Sequence, residues 1–271
     1  MKRFNSKKII LIIVNVFFIC LLVYSVFEIV KWKIDAGKTD NQIKQLQNKT
    51  IINENNDNNN TLVVKQSEDV PKSNPYWDYL KMNMIDVDFS ELKKINSDVK
   101  GWIQVNGTNI NYPFVQSTNN SYYLNHSFDK SYNNAGWLFM DYRNNDFTNK
   151  NTIIYAHARI DKTMFGTLKN VLKDEWFNNT DNYVIKISSL NENSLWQIFS
   201  VYYIPSTNDY LLTEFKDDNH YQNFLDMIIN RSFYDFNTSV NTSNTILTLS
   251  TCYKSTNKLV AHAKLIKTES K

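Results

Sequence analysis

The sequence predicts a mainly β body with peripheral helices, carried behind one apolar helix. Three observations lead there. Residues 9–30 are almost wholly apolar, a length that matches the ~20 residues a helix needs to cross a bilayer. Beyond Gly101 the chain breaks into short β-prone runs separated by Asn, Gly, Asp and Ser turns, the pattern of a barrel or sandwich rather than alternating βαβ units. Late in the chain, Tyr221, Phe224, Leu225, Ile228 and Ile229 form a helical stripe that interrupts the strands.

Taken in order, Lys2, Arg3, Lys7 and Lys8 precede the apolar segment, and Lys31 and Lys33 follow it. The balance of basic residues places 1–8 in the cytoplasm, makes 9–30 a single-pass anchor and leaves the body outside the cell membrane. A cleaved signal peptide fits less well, because the apolar core is too long and no small-x-small site follows. Within 31–74, a juxtamembrane helix over Lys31 to Gln47 gives way to the polar run 53–60, six of whose eight residues are asparagine. Such a run buries too little to offset its ordering entropy, so a flexible linker is expected up to about Pro71, holding the body off the membrane.

The folded domain is expected over 75–271. Tyr76, Trp77, Leu80 and Met84 fall at helical spacing, and Asp88 with Glu91 three residues on resembles a capping pair. Eight strands then follow, at Trp102–Val105, Ile110–Val115, Gly136–Met140, Thr152–His157, Tyr183–Ile187, Leu195–Ile204, Thr245–Thr251 and Leu259–Ile266.

Composition excludes several chemistries. The net charge is +3 and the 30 basic residues are spread along the chain, which argues against nucleic acid as a partner. Five isolated glycines form no phosphate-cradling loop. Two cysteines and four scattered histidines give no metal-ligand spacing. Neither a metal nor a cofactor is expected.

Cys20 lies in the apolar segment, so Cys252 is the only thiol of the body. It closes the β-prone run Thr248-Leu249-Ser250-Thr251-Cys252, where a lone thiol invites reading as a nucleophile. His157 is the best-placed partner, since it ends a predicted strand and leads into a polar loop. His126 falls on a turn, His220 opens the amphipathic helix, and His262 sits inside the last strand in a packing or surface position.

The run Thr248–Cys252 resembles the nucleophile strand of sortases, the cysteine transpeptidases of Gram-positive cell surfaces. Tyr155-Ala156-His157 resembles the strand end bearing their histidine. Asp98–Ile103, Ile110–Gln116, Ala135–Arg143, Thr163–Phe165 and the helix around Tyr221 to Ile229 are similar to segments of class B sortases, in the same order. The resemblance covers Pro75 to Lys267. It implies an eight-stranded sortase β-barrel with N-terminal helices and a helix between strands six and seven. It also implies a cysteine endopeptidase and transpeptidase: Cys252 attacks the Thr carbonyl of a C-terminal sorting signal on a surface protein. The resulting thioester is passed to an amine of a peptidoglycan precursor or cross-bridge.

One position departs from the family. Sortases carry an arginine on the strand after the nucleophile, and Lys258 stands there. Lysine supplies charge without a planar fork of parallel donors. Lys258 can substitute; Arg143, Arg159 or Arg231 can reach in; or turnover is slow. The resemblance further implies substrate contacts at Tyr155, Ser206, Tyr210, Leu211 and Ser250, and at Asn119 and Tyr123. Core packing is the competing role for each aromatic. The alternatives to wall anchoring are a pilin-polymerising sortase and a degenerate sortase fold that binds sorting signals with little turnover.

Overall fold

The computed structural model describes residues 6–55, 61–63, 70–71, 73–253 and 256–271. One helix, α1 (Ser6–Lys49), carries the apolar segment and continues well beyond it. Ile9 to Val30 are exposed on every side of the helix, and α1 is long and apolar enough to cross a membrane. Two polar residues of this stretch satisfy themselves inside the helix, Asn15 Nδ2 donating to Leu11 O and Ser25 Oγ to Leu21 O.

The C-terminal half of α1 packs against the body. Asp35, Thr39, Ile43 and Leu46 are buried against the body. Asn133 Nδ2 donates to Thr39 Oγ1 at 3.1 Å and Asn134 Nδ2 to Asp35 Oδ2 at 3.3 Å, while Gln47 Nε2 donates to Asn111 O at 3.0 Å. A polar residue every turn (Asp35, Thr39, Gln42) meets the body beside the apolar pair Ile43 and Leu46, so the helix docks through one mixed face. Most of the Asn-rich run lies outside the described residues. Its first residues form β1 (Ile52–Asn55), and a further short strand, β2, spans Thr61–Val63.

The predicted helix at Tyr76 is a single turn, α2 (Tyr76–Tyr79), and Met84 instead opens a strand, β3 (Met84–Val87), antiparallel to β1. Met84, Ile85 and Val87 are buried and Asp86 is less so, and pairing with β1 rather than a helical period sets this segment. Asp88 is not the N-cap of α3 (Ser90–Ile95): it accepts from Ser90 N and Oγ in a local turn just before the helix.

Eight strands follow: β4 (Val99–Val105), β5 (Asn111–Val115), β6 (Phe139–Met140), β7 (Asn151–Tyr155), β8 (Val184–Ser189), β9 (Glu192–Pro205), β10 (Ile246–Tyr253) and β11 (Asn257–Ser270). They pair in the order β10-β7-β6-β5-β4-β8-β9-β11, and β10 pairs again with β11, closing an eight-stranded barrel; β2 adds to the far end of β11. Each predicted strand is present with shifted ends. The third is cut to Phe139–Met140, because Gly136 sits at φ +62°, outside strand geometry.

Alternation along the last two strands sorts residues between two cores. Leu247, Leu249, Leu259, Ala261 and Ala263 join the barrel core, whereas Ile246 and Val260 join a second cluster on the outer wall. That wall is covered by α4 (Asp218–Asn230), between strands six and seven of the barrel. Its N-cap, Asp217, accepts from His220 N at 2.8 Å, and Tyr221, Phe224, Leu225 and Ile228 are buried against the wall. The chain between β9 and α4 crosses the outer face of β7 and β10, with Leu212 O accepting from Asn151 Nδ2 and Tyr210 Oη beside Ser250 Oγ.

Candidate active site

Two parallel strands bring the site together. β7 and β10 run side by side with Ser250 opposite Tyr155. Because side chains alternate, the residues two further along each strand direction, Cys252 and His157, leave the same end on the same face. β11 returns antiparallel with Lys258 opposite Cys252, and Lys258 Nζ donates to Cys252 Sγ at 3.3 Å. Both face outward, and Cys252 is exposed. The Lys258 ammonium therefore lies directly beside the Cys252 sulfur.

His157 lies two residues past the end of β7 and is held by the backbone. Its Nε2 is 2.7 Å from Leu124 O. A carbonyl only accepts, so Nε2 carries the proton and Nδ1 is left to take up or give one. The Leu124 carbonyl belongs to a 3₁₀ turn (Tyr122–Leu124) that Asn119 stabilises, its Oδ1 accepting from Ser121 N and Tyr122 N. Gly136 closes the arrangement. A Cβ there would lie 2.6 Å from Tyr123 O, 2.8 Å from Leu124 O and 3.0 Å from His157 Cδ2.

Cys252, His157 and Lys258 border one cavity of about 460 Å³, together with Tyr155, Ser206, Tyr210, Leu211 and Ser250. Two expected contacts fall outside it. Asn119 is exposed and committed to its turn. Tyr123 is 1 % exposed, donating to Asp98 Oδ2 at 2.7 Å and accepting from Asn96 Nδ2 at 2.8 Å, so packing takes that aromatic into the core. Asn120, Leu124, Phe139, Thr207 and Asn208 line the cavity without having been expected. Asn120 was one residue from the expected Asn119, and the turn geometry decides which of the two looks inward.

The walls are fixed by polar networks. Fully buried Asp141 accepts from Tyr155 Oη at 2.8 Å, Asn120 Nδ2 at 2.9 Å and both Nε and Nη2 of Arg143. Burial alone would raise the Asp141 carboxyl, but these hydrogen bonds, Arg143's foremost, outweigh it and hold it below the usual carboxylate range. Arg143 Nη2 also donates to Leu211 O at 3.0 Å, tying the loop that roofs the cavity to the barrel. On the other side Tyr210 Oη is 3.0 Å from Ser250 Oγ.

His262 lies in the wall behind the site. Thr248 Oγ1 donates to Asn151 Oδ1 at 2.7 Å, so the contact between Thr248 Oγ1 and His262 Nδ1 at 2.9 Å needs Nδ1–H; Tyr202 Oη then donates to Nε2 at 2.9 Å. Full burial, with Arg231 nearby, pushes this imidazole down to about 3, and it stays neutral as a structural cross-tie.

The three candidate arginines are committed elsewhere. Arg143 binds Asp141, Arg159 binds Asp161 and Arg231 binds Asp209. Among the described residues no arginine lines the cavity; the cation beside the thiol is Lys258.

Comparison with known proteins agrees with this geometry. Residues 103–266 match the Sortase domain family model. The chain is 36% identical over 184 residues to Sortase B of Staphylococcus aureus, covering 66% of this chain and 75% of that protein. It is 32% identical over 233 residues to Sortase B of Listeria monocytogenes, covering 86% and 87%. Among solved structures, sortase B from B. anthracis in complex with AAEK1 superposes with a TM-score of 0.68 at 32% identity, over 86% of this chain and 99% of that one. The Staphylococcus aureus sortase B-substrate complex gives 0.62 at 36% identity, over 66% and 84%. These matches define the class of protein, a cysteine transpeptidase, and the chain belongs to the sortase family, in its class B.

Proposed function

We propose that the chain is a membrane-anchored transpeptidase that joins surface proteins to the cell wall through a thioester on Cys252. Residues 9–30 form the single-pass anchor, with 1–8 cytoplasmic and the barrel outside. The observation that carries this reading is the Cys252 Sγ–Lys258 Nζ pair at 3.3 Å, in one cavity with a His157 whose Nε2 is occupied by Leu124 O.

The sorting signal of a surface protein lies along the cavity between Tyr155, Ser206, Tyr210, Leu211 and Ser250, its Thr carbonyl over Cys252. The Cys252 thiolate attacks that carbonyl, a C–S bond forms, and the oxygen takes negative charge beside the Lys258 ammonium. Collapse breaks the C–N bond, and His157 gives the leaving amine its proton. An amine of a peptidoglycan precursor or cross-bridge then attacks the thioester, passes its proton to His157 and forms the new amide as the thiolate departs. The acyl group never meets free acid, so its bond energy is kept for the second amide.

The substrate complex of the Staphylococcus relative supports a sorting-signal groove here. The Lys258 departure supports one rival, a barrel that binds sorting signals and turns over little. Incubating the full chain with a sorting-signal peptide library and candidate wall amines, read by mass spectrometry, tests both. Cleavage after Thr with amine-ligated product is expected, and Cys252→Ala abolishes it. Retained cleavage in Cys252→Ala removes the nucleophile assignment; binding without product establishes the rival.

A further inference from the structure

A second cavity, of about 440 Å³, opens on the other side of Cys252 and is lined by Arg159, Ile160, Phe165, Lys169 and Leu259. Its rim is the loop that follows His157. That loop is closed on itself: Ala158 bridges to Met164, Phe165 N donates to His157 O at 3.0 Å, and Asp161 accepts from Arg159 and from Thr163 N. Lys162 and Met164 take left-handed conformations at φ +66° and +53°. At its tip Ile160 is 86 % exposed, flanked by exposed Lys162 and, across the cavity mouth, exposed Lys169.

The loop is also pinned to the anchor helix. The Arg159 guanidinium sits over the Trp32 ring, 6.0 Å from its centroid, and its side chain is only 8 % exposed. Trp32 is two residues beyond Val30, the last residue of the apolar run. At 1.5 Å per residue that is about 3 Å along the helix axis. The headgroup layer is roughly 5–7 Å deep on each side of the hydrocarbon, so Arg159 and the adjoining loop lie at headgroup height. Interfacial tryptophan and basic residues suit that layer.

We infer that the loop Ala158–Phe165 is a membrane-contacting element: Ile160 enters the interfacial region of the bilayer, with Lys162 and Lys169 facing lipid phosphates. The second mouth to Cys252 then opens along the bilayer surface. This rests on the reading of residues 9–30 as a membrane span.

The test uses the full chain with Cys20→Ser and Cys252→Ala, carrying a single cysteine at Ile160→Cys or at Lys81→Cys. Lys81 follows Leu80, whose carbonyl accepts from Lys267. Lys267 is nine residues along β11 from Lys258, about 30 Å at strand rise. Each variant is labelled with an environment-sensitive fluorophore and reconstituted into vesicles of equal parts phosphatidylcholine and phosphatidylglycerol, with or without nitroxide-headgroup lipid. The expected result is loss of most emission at position 160 and no loss at 81. Protein that floats with the vesicles yet shows no quenching at 160 overturns the membrane-contact loop and leaves the span intact. Protein that fails to float overturns the span itself, and the loop contact with it.

Discussion

Substituting Gly136 by alanine tests whether His157 is set through the backbone. Gly136 holds φ +62°, a conformation that costs an L-residue about 1–2 kcal/mol. Its Cβ would lie 2.6 Å from Tyr123 O and 2.8 Å from Leu124 O; both are main-chain atoms, so the turn itself must move. Leu124 O is the acceptor that orients His157, at 2.7 Å. A hydrogen bond to a charged group, which the imidazole becomes in the proposed mechanism, is worth about 1.5–3 kcal/mol. Its loss lowers the rate by roughly ten- to a hundredfold. The expected outcome for Gly136→Ala is that drop in kcat for peptide cleavage, with little change in KM and a lower Tm. Gly101→Ala is the comparator: its Cβ meets Phe114 Cζ at 2.5 Å and Ser188 O at 2.7 Å, and Gly101 does not line the cavity. It is expected to lower Tm while folded molecules keep their kcat. If the two variants lose activity equally per folded molecule, or if Gly136→Ala keeps its kcat, the positioning argument fails.

Lys258→Ala is expected to lower kcat/KM by about a hundredfold, the scale of one lost oxyanion donor, while Lys258→Arg keeps or raises it. A large loss in Lys258→Arg would show that the cation serves another purpose. His262 has a folded-state value near 3 against an ordinary 6.5, so the unfolded chain binds the extra proton. Its contribution to stability is complete above pH 6.5 and is lost as pH falls towards 3, by about 1.4 kcal/mol per pH unit. Urea midpoints between pH 4 and 6.5 are therefore expected to fall less steeply in His262→Gln than in the parent. Arg143→Gln releases Leu211 O from the barrel and is expected to raise KM for sorting-signal peptides more than it lowers kcat, read from steady-state cleavage.

Much of the barrel was legible because alternation and turn chemistry are local. The run Thr248–Cys252 reads as a strand by itself, and the stripe from Tyr221 to Ile229 reads as a helix. Local reading failed where a partner supplies the reason, as at Met84 and at β1, which is polar in sequence and becomes a strand only beside β3. Cys252 and His157 were found as strand ends. Their proximity comes from the parallel register of β7 and β10, which no spacing in the chain encodes. Tyr123 and Asn119 show the same limit from the other side: a turn sends one side chain into the core and binds the other to its own backbone, and Asn120 takes the inward place. The docking of α1 was hidden because Asp35, Thr39 and Gln42 look like an ordinary solvated face until Asn133, Asn134 and Phe128 are set against them.

Under the proposed membrane reading, an unbroken α1 that docks on the barrel makes the anchor a crankshaft as well as a tether. There is no joint in the helix between Val30 and Gln47, so height and heading of the cleft are both functions of residue count. One residue inserted between Val30 and Trp32 would lift the barrel by about 1.5 Å and swing it by roughly 100° about the helix axis. Four would come close to restoring the heading one turn higher. Phase, more than length, would then decide whether Cys252 faces its substrates.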